Sequence, residues 1–138
     1  MMTATPGYAA LLGMIFVILS LRTIRLRRRH RVAIGDGDNA ELRRAMRVHA
    51  NFAEYSPLAL LLLYFVEHDG AEMLLVHALG CALLAGRLLH AWGVSQDREK
   101  FRYRVSGMIL TFGTIITAAL SILITRLTFG LTRGPALD

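Results

Sequence analysis

Residues 105–125 read VSGMILTFGTIITAALSILIT, a run of 21 residues without a charged side chain. The hydrocarbon core of a bilayer is about 30 Å thick, and an α-helix needs roughly 20 residues to cross it at 1.5 Å of rise per residue. The run therefore predicts a membrane-spanning helix, and it decides the fold class of the chain.

A second uncharged run lies near the N-terminus. Residues 3–21 carry no charge over 19 positions, and the next segment is rich in arginine. The first residues lack the basic stretch of a secretory signal peptide, and no small-residue cleavage site follows the apolar run. We therefore expect a retained helix over about residues 6–26. Its arginines lie at the C-terminal end, where positive charges interact favourably with the negative end of the helix dipole.

Two further helices complete the expected bundle. Turn residues in IGDGDN (residues 34–39) and HDGA (residues 68–71) break the chain. We expect helices over about residues 6–26, 40–67, 72–94 and 105–125. The uncharged part of the second helix, residues 55–66, is too short to span a bilayer alone, so Asn51 and Glu54 must enter the membrane with it. The sequence predicts one domain, residues 1–138, that forms an all-α integral membrane four-helix bundle.

Composition and charge agree with this class. Apolar residues make up 54% of the chain and charged residues 19%, whereas soluble domains carry about a quarter. The net charge of +6 is typical of some nucleic-acid binders. The basic residues flank the apolar runs, however, so contact with a membrane surface explains them and no nucleic-acid partner is expected.

Nine basic residues lie in 22–47 and four in 95–104. The positive-inside rule then places both basic loops in the cytoplasm and both termini on the other side.

Three polar residues of the second helix share one face. Arg47, Asn51 and Glu54 are spaced four and three apart and cover about 10 Å of helix axis, close to the length of an extended tripeptide. Arg47 would bind a carboxylate, Glu54 an ammonium, and Asn51 can donate or accept. The structural alternative is that Glu54 only pairs with Arg47 or a loop arginine, because a membrane carboxylate costs about 2.5 kcal/mol or more unless it is paired or hydrated.

The third and fourth helices add further candidates. Arg87 lies in an apolar run and needs an anion, so we expect a structural ion pair with Glu54; His90 lies on the same face, three residues on. Arg102 and Arg104 open the fourth helix, where an arginine could stabilise a thiolate or could be a solvated cytoplasmic charge. The histidines lack metal-ligand spacing, so no metal site is expected.

These motifs resemble those of the MAPEG family, the membrane-associated proteins in eicosanoid and glutathione metabolism. RRAMRVHANFAEYSPLALL (residues 43–61) resembles the helix 2 signature of that family. RLRRRHRVAIGDG (residues 25–37), GRLLHAWG (residues 86–93) and FRYRVSGM (residues 101–108) resemble the adjoining parts of its small bacterial branch. In place of a second helix 3 tyrosine and of a serine beside the catalytic arginine, this chain has Val94 and Val105.

The resemblance implies a homotrimer in a bacterial inner membrane that binds glutathione between subunits near the cytoplasmic side. Arg47, Asn51, Glu54 and His90 match glutathione contacts, as does Arg25 or Arg28. Arg104, or Arg102 after a shift of two, matches the arginine that activates the thiol. Lowering the pKa of a thiol from about 8.5 by two units would need about 2.7 kcal/mol, which one desolvated arginine could supply.

The function expected from these features is glutathione-dependent detoxification at a membrane. The enzyme would conjugate glutathione to lipophilic electrophiles or reduce lipid hydroperoxides, with an arginine-stabilised thiolate as the nucleophile. One alternative is a non-catalytic member of the fold that binds glutathione or lipid, or regulates a partner. A small multidrug transporter is a remote alternative, because its essential glutamate would not lie beside arginines in a cation pathway.

Overall fold

The computed structural model describes residues 4–132, which form four α-helices. These are α1 (Thr5–His30), α2 (Ala40–His68), α3 (Met73–Ser95) and α4 (Phe101–Thr132). The all-α, four-helix prediction is confirmed, although α1 and α4 extend beyond the expected bounds. Helix α4 begins four residues before Val105 and continues past Thr125, because a helix leaving the apolar core keeps its backbone hydrogen bonds in polar surroundings.

Three of the four helices in the described part of the chain are long and apolar enough to cross a membrane. They are Thr5–His30, Met73–Ser95 and Phe101–Phe129. Helix α2 is not among these candidates, because its N-terminal half contains several charged residues; it has the length of a span without the composition. The helix continues through Pro57.

Glycines allow α3 and α4 to pack closely. A Cβ added to Gly107 would lie 2.6 Å from the carbonyl oxygen of Gly86 and 2.6 Å from the backbone nitrogen of His90. A Cβ on Gly93 would lie 2.7 Å from the backbone nitrogen of Arg104. This approach brings the first turn of α4 against the last turn of α3, and thereby places Arg104 next to the face that carries His90.

The other helices pack through apolar side chains and one polar contact. Leu12, Phe52 and Leu83 join α1, α2 and α3 in one buried cluster. His49 Nε2 lies 2.9 Å from Ser20 Oγ, and its ring stacks on Phe16 with 4.8 Å between ring centroids. The His49 side chain therefore connects α2 to α1.

The two ends of the bundle differ in charge. At the acidic end, where α1 and α3 begin, the buried Glu67 carboxylate accepts hydrogen bonds from the backbone N–H groups of Ala4 (2.9 Å) and Thr5 (2.8 Å). A carboxylate at a helix N-terminus offsets the positive end of the dipole, so α2 caps α1. Asp69 in the following turn accepts from Arg126 of α4 at 2.5 Å.

The basic end is where α1 ends, α2 begins, α3 ends and α4 begins. Its α1–α2 turn is held by an ion pair between Asp36 and Arg43. Hydrogen bonding from Arg43 holds the pKa of the Asp36 carboxyl below its ordinary value of 3.8. Arg44 Nη2 donates to Asp97 Oδ1 at 2.7 Å, which ties α2 to the loop before α4.

Candidate functional site

A cavity of about 400 Å³ opens at the basic end between α2, α3 and the start of α4. Its volume lies within the roughly 300–1,000 Å³ range of small-molecule sites. We call it the basic-end cavity. Its lining residues are Arg43, Arg44, Arg47, Ala50, Asn51, Glu54, His90, Val94, Glu99 and Arg104.

The polar face of α2 supplies one wall of this cavity. Arg47, Asn51 and Glu54 all line it, as expected from their helical spacing. Arg47 and Glu54 are exposed, and neither forms an ion pair with another residue in 4–132. The purely structural pairing of Glu54 with Arg47 or a loop arginine is therefore not formed in the single chain, and both charges remain available to a ligand.

The expected Glu54–Arg87 ion pair is absent from the described residues, and that prediction is wrong for the single chain. Arg87 is 1% exposed and donates to Asn51 Oδ1 at 2.8 Å instead. It also donates twice to Thr111 Oγ1, from Nε at 3.0 Å and from Nη2 at 2.7 Å. The physical reason is rotation: α2 presents Asn51 to α3, whereas Glu54 faces outward.

The loop before α4 supplies the opposite wall. Arg104 Nη1 donates to Glu99 Oε1 at 2.8 Å, with both side chains less than half exposed. Both arginines are exposed, but Arg104 lines the basic-end cavity and Arg102 does not. Of the two arginines proposed for thiol activation, Arg104 is the one next to the other candidates.

Three charged residues of the cavity were missed by the sequence reasoning. Arg43 and Arg44 precede Arg47 by four and three residues, so helical spacing alone could have added them to the α2 face. Glu99 lies in a loop, where no periodicity shows which way a side chain points. The cavity then holds four arginines and two glutamates, a net positive charge that suits an anionic ligand.

The predicted arginines of α1 lie elsewhere in this chain. Neither Arg25 nor Arg28 lines the basic-end cavity; both are exposed, and Arg28 borders a separate surface depression on α1. His90, by contrast, is 6% exposed and lies at the inner wall. In residues 4–132, no group of three or more His, Cys, Asp or Glu side chains is placed to hold a metal ion.

Comparison with known proteins extends the similarity over most of the chain. The model of the MAPEG family matches residues 5–124. The inner membrane protein YecN of Escherichia coli strain K12 is 42% identical over 114 residues, which are 83% of this chain and 86% of YecN. YecN of Escherichia coli O6:H1, strain CFT073, gives the same identity over the same share of each chain.

Proposed function

Because this chain belongs to the MAPEG family of membrane proteins, we propose that it binds glutathione in the basic-end cavity and uses the thiolate against lipophilic substrates. The family includes glutathione transferases. The observation that supports the proposal most is that five residues from three helices line one cavity. These residues are Arg47, Asn51, Glu54, His90 and Arg104.

The charge pattern of the cavity fits the chemistry of glutathione. This tripeptide carries two carboxylates and one ammonium, and the cavity offers four arginines and an unpaired Glu54. Arg47, which forms no ion pair in residues 4–132, can bind a carboxylate with two parallel N–H donors. Glu54 can accept from the ammonium, which would balance its charge at the membrane edge. The ligand therefore lies along α2, with its thiol toward α4 and Arg104.

The proposed chemistry begins with loss of the thiol proton to solvent beside Arg104. In conjugation, the thiolate sulfur forms a bond to an electrophilic carbon while the leaving group departs with its electron pair. In peroxide reduction, the sulfur takes the terminal hydroperoxide oxygen as the O–O bond breaks, and the lipid alkoxide takes a proton to become an alcohol. A second glutathione then converts the resulting sulfenic acid into a disulfide and water.

We propose that glutathione binds at the interface between two subunits of a homotrimer. Arg25 and Arg28 are exposed on α1 and do not line the cavity of their own chain. A neighbouring copy would bring them to the open side of the cavity, where they add positive charge for a second carboxylate. The lipophilic substrate would reach the thiolate from the bilayer.

Titration of purified protein with glutathione near neutral pH, followed by thiolate absorbance in the ultraviolet, tests this function. The expected result is a saturable thiolate signal that Arg104→Ala abolishes and that Arg102→Ala and the loop control Arg98→Ala retain. Glu54→Ala should lose binding as well, measured by calorimetry. The absence of both signal and binding for the wild-type protein would exclude glutathione as the ligand.

A non-catalytic function is the second candidate, and the Glu99–Arg104 ion pair favours it. A guanidinium already bonded to a carboxylate at 2.8 Å stabilises a neighbouring thiolate less. Glutathione binding without any thiolate signal, and without turnover of model electrophiles or lipid hydroperoxides, would support this candidate over the enzyme.

A further inference from the structure

Arg87 is a buried cation without a buried anion. Its side chain is 1% exposed in α3, and no carboxylate of residues 4–132 lies within ion-pair distance of it. Its hydrogen-bond acceptors are neutral: Asn51 Oδ1 at 2.8 Å, the Asn51 backbone oxygen at 3.4 Å, Thr111 Oγ1 and, at 3.4 Å, Met108 Sδ. Burying a charge in this way is costly, so a role beyond packing is expected for Arg87.

The contact with Arg87 determines which way the Asn51 amide faces. A guanidinium can only donate hydrogen bonds, so the atom of Asn51 that meets Arg87 has to be the oxygen. The usual ambiguity between the oxygen and nitrogen of an amide is thereby removed. The nitrogen, Nδ2, has no partner among residues 4–132, and Asn51 lines the basic-end cavity, so Nδ2 is the polar group of Asn51 left for a ligand there.

We infer that Arg87 is a positioning residue that holds Asn51 as a hydrogen-bond donor to whatever occupies the basic-end cavity. Arg87 does not itself line the cavity. Without it, the Asn51 amide could rotate and present either atom, and the ligand would have to select one orientation on binding. Fixing a recognition group in advance lowers that cost.

This arrangement defines a pattern of ligand groups along α2. Arg47 and Asn51 both donate, and Glu54, one turn further on, only accepts. The ligand class that fits has a carboxylate and a carbonyl or carboxylate oxygen for the first two residues, followed by an ammonium for Glu54. Because Arg87 bonds to Asn51 and Thr111, the Glu54 carboxylate has no ion-pair partner in residues 4–132 and can accept from that ammonium.

A measurement without ligand tests the inference directly. The sequence has two asparagines, Asn39 and Asn51, so selective ¹⁵N labelling gives two side-chain amide signals. The Asn51 signal, identified by its loss in Asn51→Ala, should show a rigid amide in the wild-type protein and a mobile one in Arg87→Gln. Asn39, whose oxygen accepts from Leu42 N–H at 2.9 Å, is the internal control and should stay rigid in both proteins. Equal mobility of Asn51 in both would overturn the inference.

Binding measurements then test the functional consequence, which rests on the proposed glutathione ligand. By calorimetry, Arg87→Gln should weaken glutathione binding on the order of tenfold, as expected for one hydrogen bond to a charged group. In an Asn51→Ala background the same change should have less than about a twofold effect, because Arg87 acts through Asn51. Equal losses in both backgrounds would indicate a general structural role and contradict the inference.

Two further variants cover the case in which Arg87→Gln does not fold. Asn51→Asp keeps an acceptor for Arg87 but replaces the donor with a carboxylate oxygen, so it should fold as well as the wild-type protein and lose glutathione. Retained affinity in Asn51→Asp would refute the donor assignment. Arg126→Gln, the same substitution at the acidic end, is the matched control and should bind normally. Failure of the wild-type protein to bind glutathione would refute the proposed function, while the amide measurement would still decide the role of Arg87.

Discussion

Arg104 reaches the basic-end cavity with one guanidinium nitrogen already bonded to Glu99. The guanidinium has five N–H donors, so others remain for a thiolate, but the carboxylate lowers the positive potential that the thiolate would meet. Glu99 therefore limits the strength of thiol activation at the scale of a single side chain.

Glu99→Gln should increase the thiolate fraction of bound glutathione. In the titration, the apparent affinity for glutathione in its thiolate form should increase about two- to threefold at neutral pH, since partly exposed ion pairs contribute roughly 0.2–1 kcal/mol. Ultraviolet titration of the variant measures it, with Asp38→Asn as the control for loss of one negative charge. A weaker thiolate signal in Glu99→Gln would show that Glu99 supports Arg104 instead of competing for it.

The turn between α1 and α2 should depend on pH through Asp36. The pKa of Asp36 is lower in the folded protein than its ordinary value of 3.8 because Arg43 hydrogen-bonds to the carboxylate. A lowered folded pKa means that the contact stabilises the protein above pH 3.8 and that this contribution is lost as the pH falls through the folded pKa. The effect is small, because both groups are partly exposed.

Thermal unfolding of Asp36→Asn and wild-type protein at pH 7 and in acid measures this dependence. The variant should unfold at a slightly lower temperature at pH 7, and the two midpoints should converge in acid. A difference that persists unchanged in acid would show that the Asp36 charge is not its cause.

At the scale of helices, the sequence predicted the four helices because their signals are local. An uncharged run indicates a membrane-spanning helix, and polar residues three and four apart indicate a polar helix face. The partner of Arg87 could not be predicted in the same way. Asn51 and Glu54 are both on the polar face of α2, and the choice between them depends on the rotation of α2 against α3, which is set by packing. The start of α4 was also missed, because polar residues such as Arg102 and Arg104 do not distinguish a loop from a helix end.

The contact between α3 and α4 should be sensitive to a single methyl group. In Gly107→Ala the added carbon would lie 2.6 Å from backbone atoms of Gly86 and His90, so the helices must separate. We expect a loss of roughly 1–3 kcal/mol in stability and weaker glutathione binding, because His90 and Arg104 would move apart.

Thermal unfolding in detergent, together with calorimetry, measures both effects. Gly113→Ala is the matched control on α4, since nothing lies within 4 Å of the added carbon and alanine favours helix by about 1 kcal/mol. A Gly107→Ala protein as stable as Gly113→Ala would contradict the close approach of the two helices.

At the scale of the whole molecule, the basic-end cavity is open on one side and two predicted glutathione contacts lie outside it. Arg47, Asn51, Glu54, His90 and Arg104 line this one cavity, whereas their role in binding glutathione and the place of Arg25 and Arg28 stay predictions. That assignment depends on symmetry, which a single sequence does not encode in any local pattern.

In the proposed homotrimer, co-assembly of two defective variants should restore glutathione sites that neither variant forms alone. Chains carrying Glu54→Ala lack a working cavity, and chains carrying both Arg25→Ala and Arg28→Ala lack the α1 arginines. If a neighbour supplies the arginines, random co-assembly should give functional glutathione sites at roughly a quarter of the possible positions. Calorimetric stoichiometry of the co-expressed protein measures this fraction. A value of zero would place the arginines and the cavity of a working site in the same chain.

The cap that Glu67 provides for α1 has a consequence for how the protein is made. A ribosome delivers α1 to the insertion machinery before α2 exists, and at that stage the first N–H groups of α1 lack their carboxylate. Unsatisfied backbone groups are unfavourable in the lipid interior. The N-terminus of α1 therefore gains this cap only after the last turn of α2 has been made, and we expect the α1–α2 hairpin to be the smallest unit in which α1 is capped.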